Sequence, residues 1–469
     1  MPPPETNIGE ACWQHCSRTS VDSTSAIAVN ISRFARRKDC AMELELLDYK
    51  IQTLQWGEHT RLDGNTLTLS RADLQQQIQN LTHGIPIDVQ LVRPGEATRI
   101  VHVLDTVMPI AKLSGTGETF PGFEGAAELV GTGQTVRIPN LLVTVAGRFP
   151  HFEDLSPIEK QREGILDMSG IGAPYSYGSD CFHLVLSLAP DASVSNAGFD
   201  NALRLMALRC ARFIATSRKI DSQPERRVVS LNSVDGKLPK VVLIYQVQSQ
   251  VMGARTFYYG EEVSRTLPTF VHPAEFFDGA IVSGNFKTER KLPTSLHCDN
   301  LFIWELLNRH GKALDFRGVI LSRGYNDSLE QKKKMGLWVA RLAKNLGAEG
   351  AVAFMEGTGN GTVDFMQTVK ACEDQGIKTA AVLHESNGPK GYERPLVDHP
   401  QEADGMISRG NVSEKIYIPP LRTVIGGPLI DLHLKATHDA REPFLFDPTI
   451  FFGSYSKMGM SGFRAAYES

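Results

Sequence analysis

The sequence predicts an α/β protein: a β-rich N-terminal domain, a mixed middle domain and a C-terminal doubly wound parallel sheet. Three observations carry this. Between residues 300 and 418, short apolar runs alternate with amphipathic helical stretches at the interval of strand–helix–strand units. Between 42 and 150, short extended runs are separated by connections crowded with glycine. Residues 241–247 are apolar almost throughout, as a strand covered on both faces must be.

The elements follow in order. Residues 1–41 are rich in Pro, Ser and Thr, show no sustained periodicity, and are expected to form a disordered leader. At Met42 the texture changes to an alternating strand-like run, so Met42 is a candidate start codon. Extended runs are expected at 67–69, 87–92, 99–104, 136–138 and 141–145, with a turn at Asp63-Gly64. In the mixed domain (151–285), 183–188 reads as a strand and 201–216 as an amphipathic helix buried through Leu203, Leu205, Met206, Leu208 and Phe213. In the doubly wound domain (286–430), strands at 316–321, 351–355, 378–383 and 405–408 alternate with helices at 328–346 and 363–373. Met335, Val339, Leu342 and Leu346 line one face of the first helix, and Gly347 ends it. Residues 431–469 form a tail.

Composition excludes several classes. The chain has 469 residues, 42% hydrophobic and 22% charged, with a formal net charge of −4 and acids and bases interspersed. No basic stripe suits nucleic acid, and no apolar run reaches the roughly 18–20 residues of a membrane-spanning helix. The N-terminus lacks the charged-then-apolar pattern of a secretion signal, so a cytoplasmic protein is expected. Seven widely spaced cysteines do not describe a disulfide framework. Cys12, His15 and Cys16, with Cys40, would be the only zinc candidates; the second Cys pair of a persuasive site is missing, and no metal is expected.

In a doubly wound sheet, ligands collect at the carboxyl ends of the strands. Those ends carry Ser322-Arg323-Gly324-Tyr325-Asn326, Glu356-Gly357-Thr358-Gly359-Asn360-Gly361 and His384-Glu385-Ser386-Asn387-Gly388. Glu356, His384 and Glu385 are candidate acid/base groups. Gly357, Gly359 and Asn360, ahead of a helix, with Arg323, are candidate substrate binders through backbone N–H groups and a cation. The loop matches neither dinucleotide nor P-loop fingerprints. The bland alternatives are a tight turn and a solvated rim.

A longer pattern is more specific. His272-Pro273 precedes Asp278-Gly279-Ala280-Ile281-Val282-Ser283-Gly284-Asn285; His297, Asn300, Arg309-His310-Gly311-Lys312 and Phe316-Arg317-Gly318-Val319-Ile320 follow. Further on come Leu342-Ala343-Lys344-Asn345-Leu346-Gly347, Glu356-Gly357-Thr358-Gly359-Asn360, Gly376-Ile377-Lys378-Thr379, Ala403-Asp404, Gly410-Asn411, Pro419-Pro420 and Val424-Ile425-Gly426. Upstream, Gly164-Ile165-Leu166-Asp167-Met168-Ser169-Gly170 and the onset at Met42 fit as well. In order and spacing, over about residues 42–430, these segments resemble the component B proprotein of the glycine/betaine/sarcosine reductases.

The resemblance implies a subunit that cuts itself at an Asn–Cys bond, leaving a pyruvoyl group that takes a substrate amine as a Schiff base. It also implies a partner selenoprotein that then cleaves the C–N bond reductively. The acyl shift needs a thiol or hydroxyl immediately after the scissile bond. Here Asn285 is followed by Phe286, which has no nucleophile. The expectation is therefore an unprocessed subunit without the pyruvoyl group and without another cofactor. Its substrate would be small and amino-acid-like, and its partner a second reductase subunit carrying a redox Cys or selenocysteine, since this chain has no C-x-x-C. Cys298 is the first candidate to replace the processing cysteine, with Ser283 and Ser295 behind it; in an intact chain it is a candidate redox or nucleophilic thiol, its pKa lowered by the neighbouring His297. His272 and His310 are candidates for shaping the site. The competing expectation is a non-catalytic binding or scaffold subunit.

Overall fold

The computed structural model describes residues 42–454 except 157–162, 219–222, 235, 251, 285–290, 386–395, 412–413 and 434–435, and except the side chains of 384–385, 408–411, 433 and 436. The leader with its Cys12–Cys16 cluster, the Asn285-Phe286 pair and residues 386–388 lie outside the described residues.

Strands and helices mix throughout, as an α/β protein requires. The first strand, Glu43–Asp48, begins where the texture changes at Met42. It lies between Glu225–Ser230 (antiparallel) and Gly133–Arg137 (parallel), with Ile110–Ser114 beyond. A second four-stranded sheet runs Ile87–Val92, Phe182–Leu188, Leu141–Gly147, Val103–Val107. Against these sheets packs the helix Asn196–Thr216, capped by Ser195 Oγ, which accepts from Gly198 N at 3.1 Å. Leu203, Met206, Ala207, Cys210 and Ile214 make its buried stripe. Strand pairing thus runs across residue 150. The run expected at 99–104 is broken in two, Thr98–Ile100 and Val103–Val107, because His102 between them takes φ 57°.

The third sheet has six strands in the order Thr269–Val271, Asp315–Arg323, Lys240–Val247, Gly350–Met355, Lys378–Glu385, Gly405–Asn411. All pairs are parallel except the first. Its central strand, Lys240–Val247, precedes residue 285, so this sheet joins segments from both sides of that position. Both of its faces are covered, which accounts for the unbroken apolar run. Val242 and Ile244 face Val339, Ala343, Phe365 and Val369 of the helices Leu329–Asn345 and Asn360–Asp374. Leu243, Tyr245 and Val247 face Phe276, Phe302 and Ile303 on the other side.

The Leu329–Asn345 helix starts with a capping box between Ser328 and Gln331, and Gly347 at φ 76° stops it. Asn360–Asp374 begins three residues earlier than the periodicity alone suggests, because Gly359 at φ 60° turns the chain into it. From Lys240–Val247 the chain moves out to Asp315–Arg323, then returns to the opposite flank with Gly350–Met355. Winding reverses there, and a crevice for ligands is expected at the carboxyl ends of those strands. Among the described residues, no helix is long and apolar enough to cross a membrane.

Candidate functional site

Gln248 and Glu356 follow the ends of two of those strands, and what they gather is a buried polar cluster. Glu356 is 1% exposed. Its Oε1 accepts from Leu292 N at 2.8 Å, and its Oε2 accepts from Gln248 N at 2.8 Å. Lys291, fully buried, places Nζ 3.5 Å from Glu356 Oε2 and donates to Thr256 Oγ1 at 2.5 Å. Thr256 Oγ1 donates onward to the Gln248 carbonyl at 2.9 Å. Burial disfavours the charged amine and pulls the Lys291 pKa down, against the attraction of Glu356 and Asp105.

His297 sits in the short helix Thr294–Cys298, fully buried, with Nε2 3.6 Å from Glu356 Oε1. Its Nδ1 is 3.0 Å from the Tyr245 hydroxyl, and Asn300 Nδ2 donates to that hydroxyl at 3.1 Å. With its oxygen already accepting, Tyr245 is placed to donate to Nδ1, and the network assigns the imidazole proton to Nε2. Burial, helped by the Lys291 charge, holds the His297 pKa well below its ordinary value, so the ring is neutral. Nε2 has no hydrogen-bond partner among the described residues; neither do Ser283 Oγ and Gln248 Oε1, both buried.

Asp105 anchors the helix that carries His297. Its Oδ1 accepts from Thr294 N at 2.9 Å and its Oδ2 from Thr294 Oγ1 at 2.6 Å. The same Thr294 Oγ1 accepts from Ser283 N at 3.0 Å, which joins the end of strand Ile281–Gly284 to the start of that helix. Burial pushes the Asp105 pKa up to about 6, against these hydrogen bonds.

Glu356 and His297, predicted as site residues on separate grounds, are therefore brought together. Cys298 requires a correction. Its thiol is fully buried, and that burial raises its pKa, the opposite of the expected lowering; the nearby Arg137 charge offsets only part. The glycine loop also differs from the open cradle expected for Gly357, Gly359 and Asn360. Tyr325, at φ 63°, lays its ring against Gly357 and Gly361; its hydroxyl accepts from Thr358 N at 2.8 Å and donates to Thr358 O at 2.9 Å. The Asn360 carbonyl accepts from Lys332 at 3.4 Å. Arg323 is half-buried at the end of its strand, its Nε without a partner among the described residues. His384 and Glu385 close the strand Lys378–Glu385; their side chains lie outside the described residues. Ser295 Oγ bonds Thr106 Oγ1 at 2.7 Å.

His272 caps the helix Pro273–Phe277, and His310 accepts from Phe316 N at 3.0 Å; both hold the fold. Lys291, Thr256, Gln248, Tyr245 and Asp105 were not foreseen. Lys291 follows a charged stretch, Lys287 to Arg290, and nothing in its spacing marks it as the buried one. Among the described residues, no group of three or more His, Cys, Asp or Glu side chains converges to hold a metal. A cleft of about 700 Å³ between Gln76, Asn80, Arg209 and Arg212 shares no residue with the cluster.

The family model described as glycine/sarcosine/betaine reductase component B subunits matches residues 42–438. The chain is 32% identical over 392 residues to the glycine reductase complex component B subunits alpha and beta of Peptoclostridium acidaminophilum, covering 82% of this chain and 89% of that one. It is 33% identical over 407 residues to the betaine reductase complex component B subunit alpha of the same organism (82% and 88%). The sarcosine reductase complex component B subunit alpha is 31% identical over 393 residues (82% and 89%). No solved structure matches the chain.

Proposed function

The chain belongs to the glycine/sarcosine/betaine reductase component B family, and from that premise we propose that it acts, unprocessed, as the substrate-handling subunit of a related reductase complex. The substrate is a small amino-acid-like molecule, and the reaction is reductive cleavage of one of its bonds. A second subunit carrying a thiol or selenol supplies the electrons. The observation that carries the unprocessed reading is Phe286 directly after Asn285. A benzyl group offers no atom for the acyl shift, so the residues present do not fit a pyruvoyl group.

The chain's own residues have definable tasks. His297 presents a neutral ring with its proton at Nε2, a donor for a substrate oxygen. Glu356 holds residues 291–292 against the end of the central strand and can take up a proton. Arg323, lacking an anionic partner among the described residues, suits a substrate carboxylate. His384 and Glu385, at the neighbouring strand end, are further acid/base candidates.

Intact-mass measurement of the purified chain tests this. A single species near 51.7 kDa, or that mass less the leader, is expected; two fragments meeting at the Asn285–Phe286 or His297–Cys298 bond would overturn it. Phe286→Cys provides the converse, since restoring a thiol should restore cleavage.

One observation favours a second reading, a non-catalytic binding or scaffold subunit. Lys291, Glu356 and His297 are all within 1% of complete burial. Pull-down with the thiol or selenol partner, followed by assay for product, separates the two: complex formation without turnover supports the scaffold.

A further inference from the structure

We propose that Lys291 is a carbonyl-capturing amine, forming an imine with a small aldehyde or 2-oxo acid while Glu356 and His297 handle its protons and its oxygen. This does not rest on the absence of processing, because Lys291 lies beyond the Asn285–Phe286 bond on either outcome.

The first support is how loosely Lys291 is paired with a carboxylate; its short hydrogen bond goes to the neutral Thr256 hydroxyl. Structural ion pairs buried in this protein are tight. Arg99 meets Asp167 at 2.7 and 2.9 Å, Arg137 meets Asp48 at 2.6 and 3.1 Å, and Arg204 meets Asp200 at 2.7 Å. Lys291 Nζ stands 3.5 Å from Glu356, whose two oxygens are each already engaged by a backbone N–H. Charge-assisted bonds run at about 2.7–2.9 Å, so this contact is a poor charge clamp. A buried lysine that is not clamped loses its proton readily and becomes a nucleophile. The titratable groups facing it are Glu356, Asp105 and His297.

The second support is a set of unspent polar atoms on segments bonded to Glu356 and to the helix that carries His297. His297 Nε2, Ser283 Oγ and Gln248 Oε1 lack partners among the described residues and are 0%, 1% and 4% exposed as residues. Leaving such groups unsatisfied costs about 1–3 kcal/mol each, which a polar ligand offsets. Their segments are tied to the same centre: Gln248 N bonds Glu356, Ser283 N bonds Thr294, and His297 faces Glu356. The two donors suit a carbonyl oxygen and a neighbouring carboxylate, and the Gln248 acceptor suits the hydroxyl that the carbonyl becomes in the carbinolamine.

The step balances without electron transfer. The lone pair of neutral Nζ adds to the carbonyl carbon, forming the C–N bond, and His297 Nε2–H hydrogen-bonds the oxygen as its charge develops. Glu356 carries one proton from nitrogen to that oxygen, giving the carbinolamine. The nitrogen lone pair then closes the C=N bond as the C–O bond breaks, and the second amine proton follows by the same carboxylate. Both amine protons leave in one water.

The test uses the full-length chain, glyoxylate or pyruvate as probe, and cyanoborohydride to reduce any imine, followed by intact mass and peptide mapping. One saturable adduct at Lys291 is expected, formed near neutral pH where exposed lysines are protonated. Lys291→Arg keeps the cation and removes the imine-forming amine, so loss of the adduct with an unchanged melting curve supports the inference even if Lys291→Met fails to fold. Labelling spread over many lysines, labelling undiminished in the arginine variant, or no adduct in a folded full-length chain overturns it. That last outcome leaves the reductase reading standing, whereas a processed chain that still forms the adduct overturns only the unprocessed reading.

Discussion

Glu356 accepts from Leu292 N and Gln248 N, one on each of its oxygens, and so ties the chain just beyond residue 290 to the end of the central strand of the six-stranded sheet. One carboxylate thereby fixes the two segments from which Lys291 and Gln248 project.

Replacing it should be costly. Glu356→Ala strands two backbone N–H groups and a buried lysine, and removal of one partner from a buried pair typically costs about 3–5 kcal/mol. Glu356→Gln keeps one carbonyl acceptor and should lose less. Urea denaturation of both variants checks this; equal losses would mean that the negative charge, not the acceptor count, holds the segment.

The Tyr325 hydroxyl both accepts from and donates to Thr358, so Tyr325→Phe should cost about 1–3 kcal/mol. Gly357→Ala should cost more. It forces a side chain to φ 83° and brings its Cβ to 2.1 Å from the Tyr325 hydroxyl oxygen. Because the two residues collide, combining Tyr325→Ala with Gly357→Ala should lose less than the sum of the single changes. Strict additivity in a double-mutant cycle would show that the loop relaxes away from the ring.

Much of this fold was legible because period and punctuation agree. Ser328, the 335–339–342 stripe and Gly347 each specify the same helix, and the apolar run at 241–247 could only be a covered strand. Glu356 and His297 were legible as chemistry-bearing types in ordered motifs. Lys291 was not, because burial of one lysine among several charged neighbours is decided by Glu356 and Asp105, 65 and 186 positions away in sequence. The Cys298 thiol was misjudged for a related reason. Adjacency to His297 in sequence does not bring the imidazole to the sulfur: the ring turns to Tyr245 and Glu356, and the thiol enters the core. Tyr325 filling the glycine loop likewise depends on a backbone conformation that composition does not announce.

Thiol chemistry follows directly. Burial raises the pKa of Cys298 and pushes those of Cys210 and Cys372 up to about 12, while Cys181 is only partly buried. Under native conditions at mildly alkaline pH, iodoacetamide should modify Cys181 ahead of the other three. Cys298 should react only after denaturation. Rapid native labelling of Cys298, mapped by peptide mass, would revive it as a nucleophile.

The pH dependence of stability is set by buried groups that oppose one another. His183 accepts from Thr144 Oγ1 on Nδ1 at 2.8 Å and donates from Nε2 to Gly178 O at 2.8 Å, an arrangement that only the neutral ring satisfies. Burial lowers its pKa from 6.5 to about 4, and that of His272 likewise to about 4. A depressed value means that each contributes stability fully above pH 6.5 and loses it as pH falls through 4, about 3 kcal/mol apiece. Asp105 has the reverse sign. Raised from 3.8 to about 6, it contributes fully below pH 3.8 and loses about 3 kcal/mol as pH rises through 6. Within this set the two histidines outweigh the aspartate, so their summed contribution to stability should climb between pH 4 and 6.5 and level off above. Asp105→Asn removes the opposing titration and should steepen the climb, while His183→Gln should flatten it. Urea midpoints measured at pH 4, 5, 6 and 7 on the three proteins decide the matter; a slope unchanged by Asp105→Asn would mean that this carboxylate stays ionised across the whole interval.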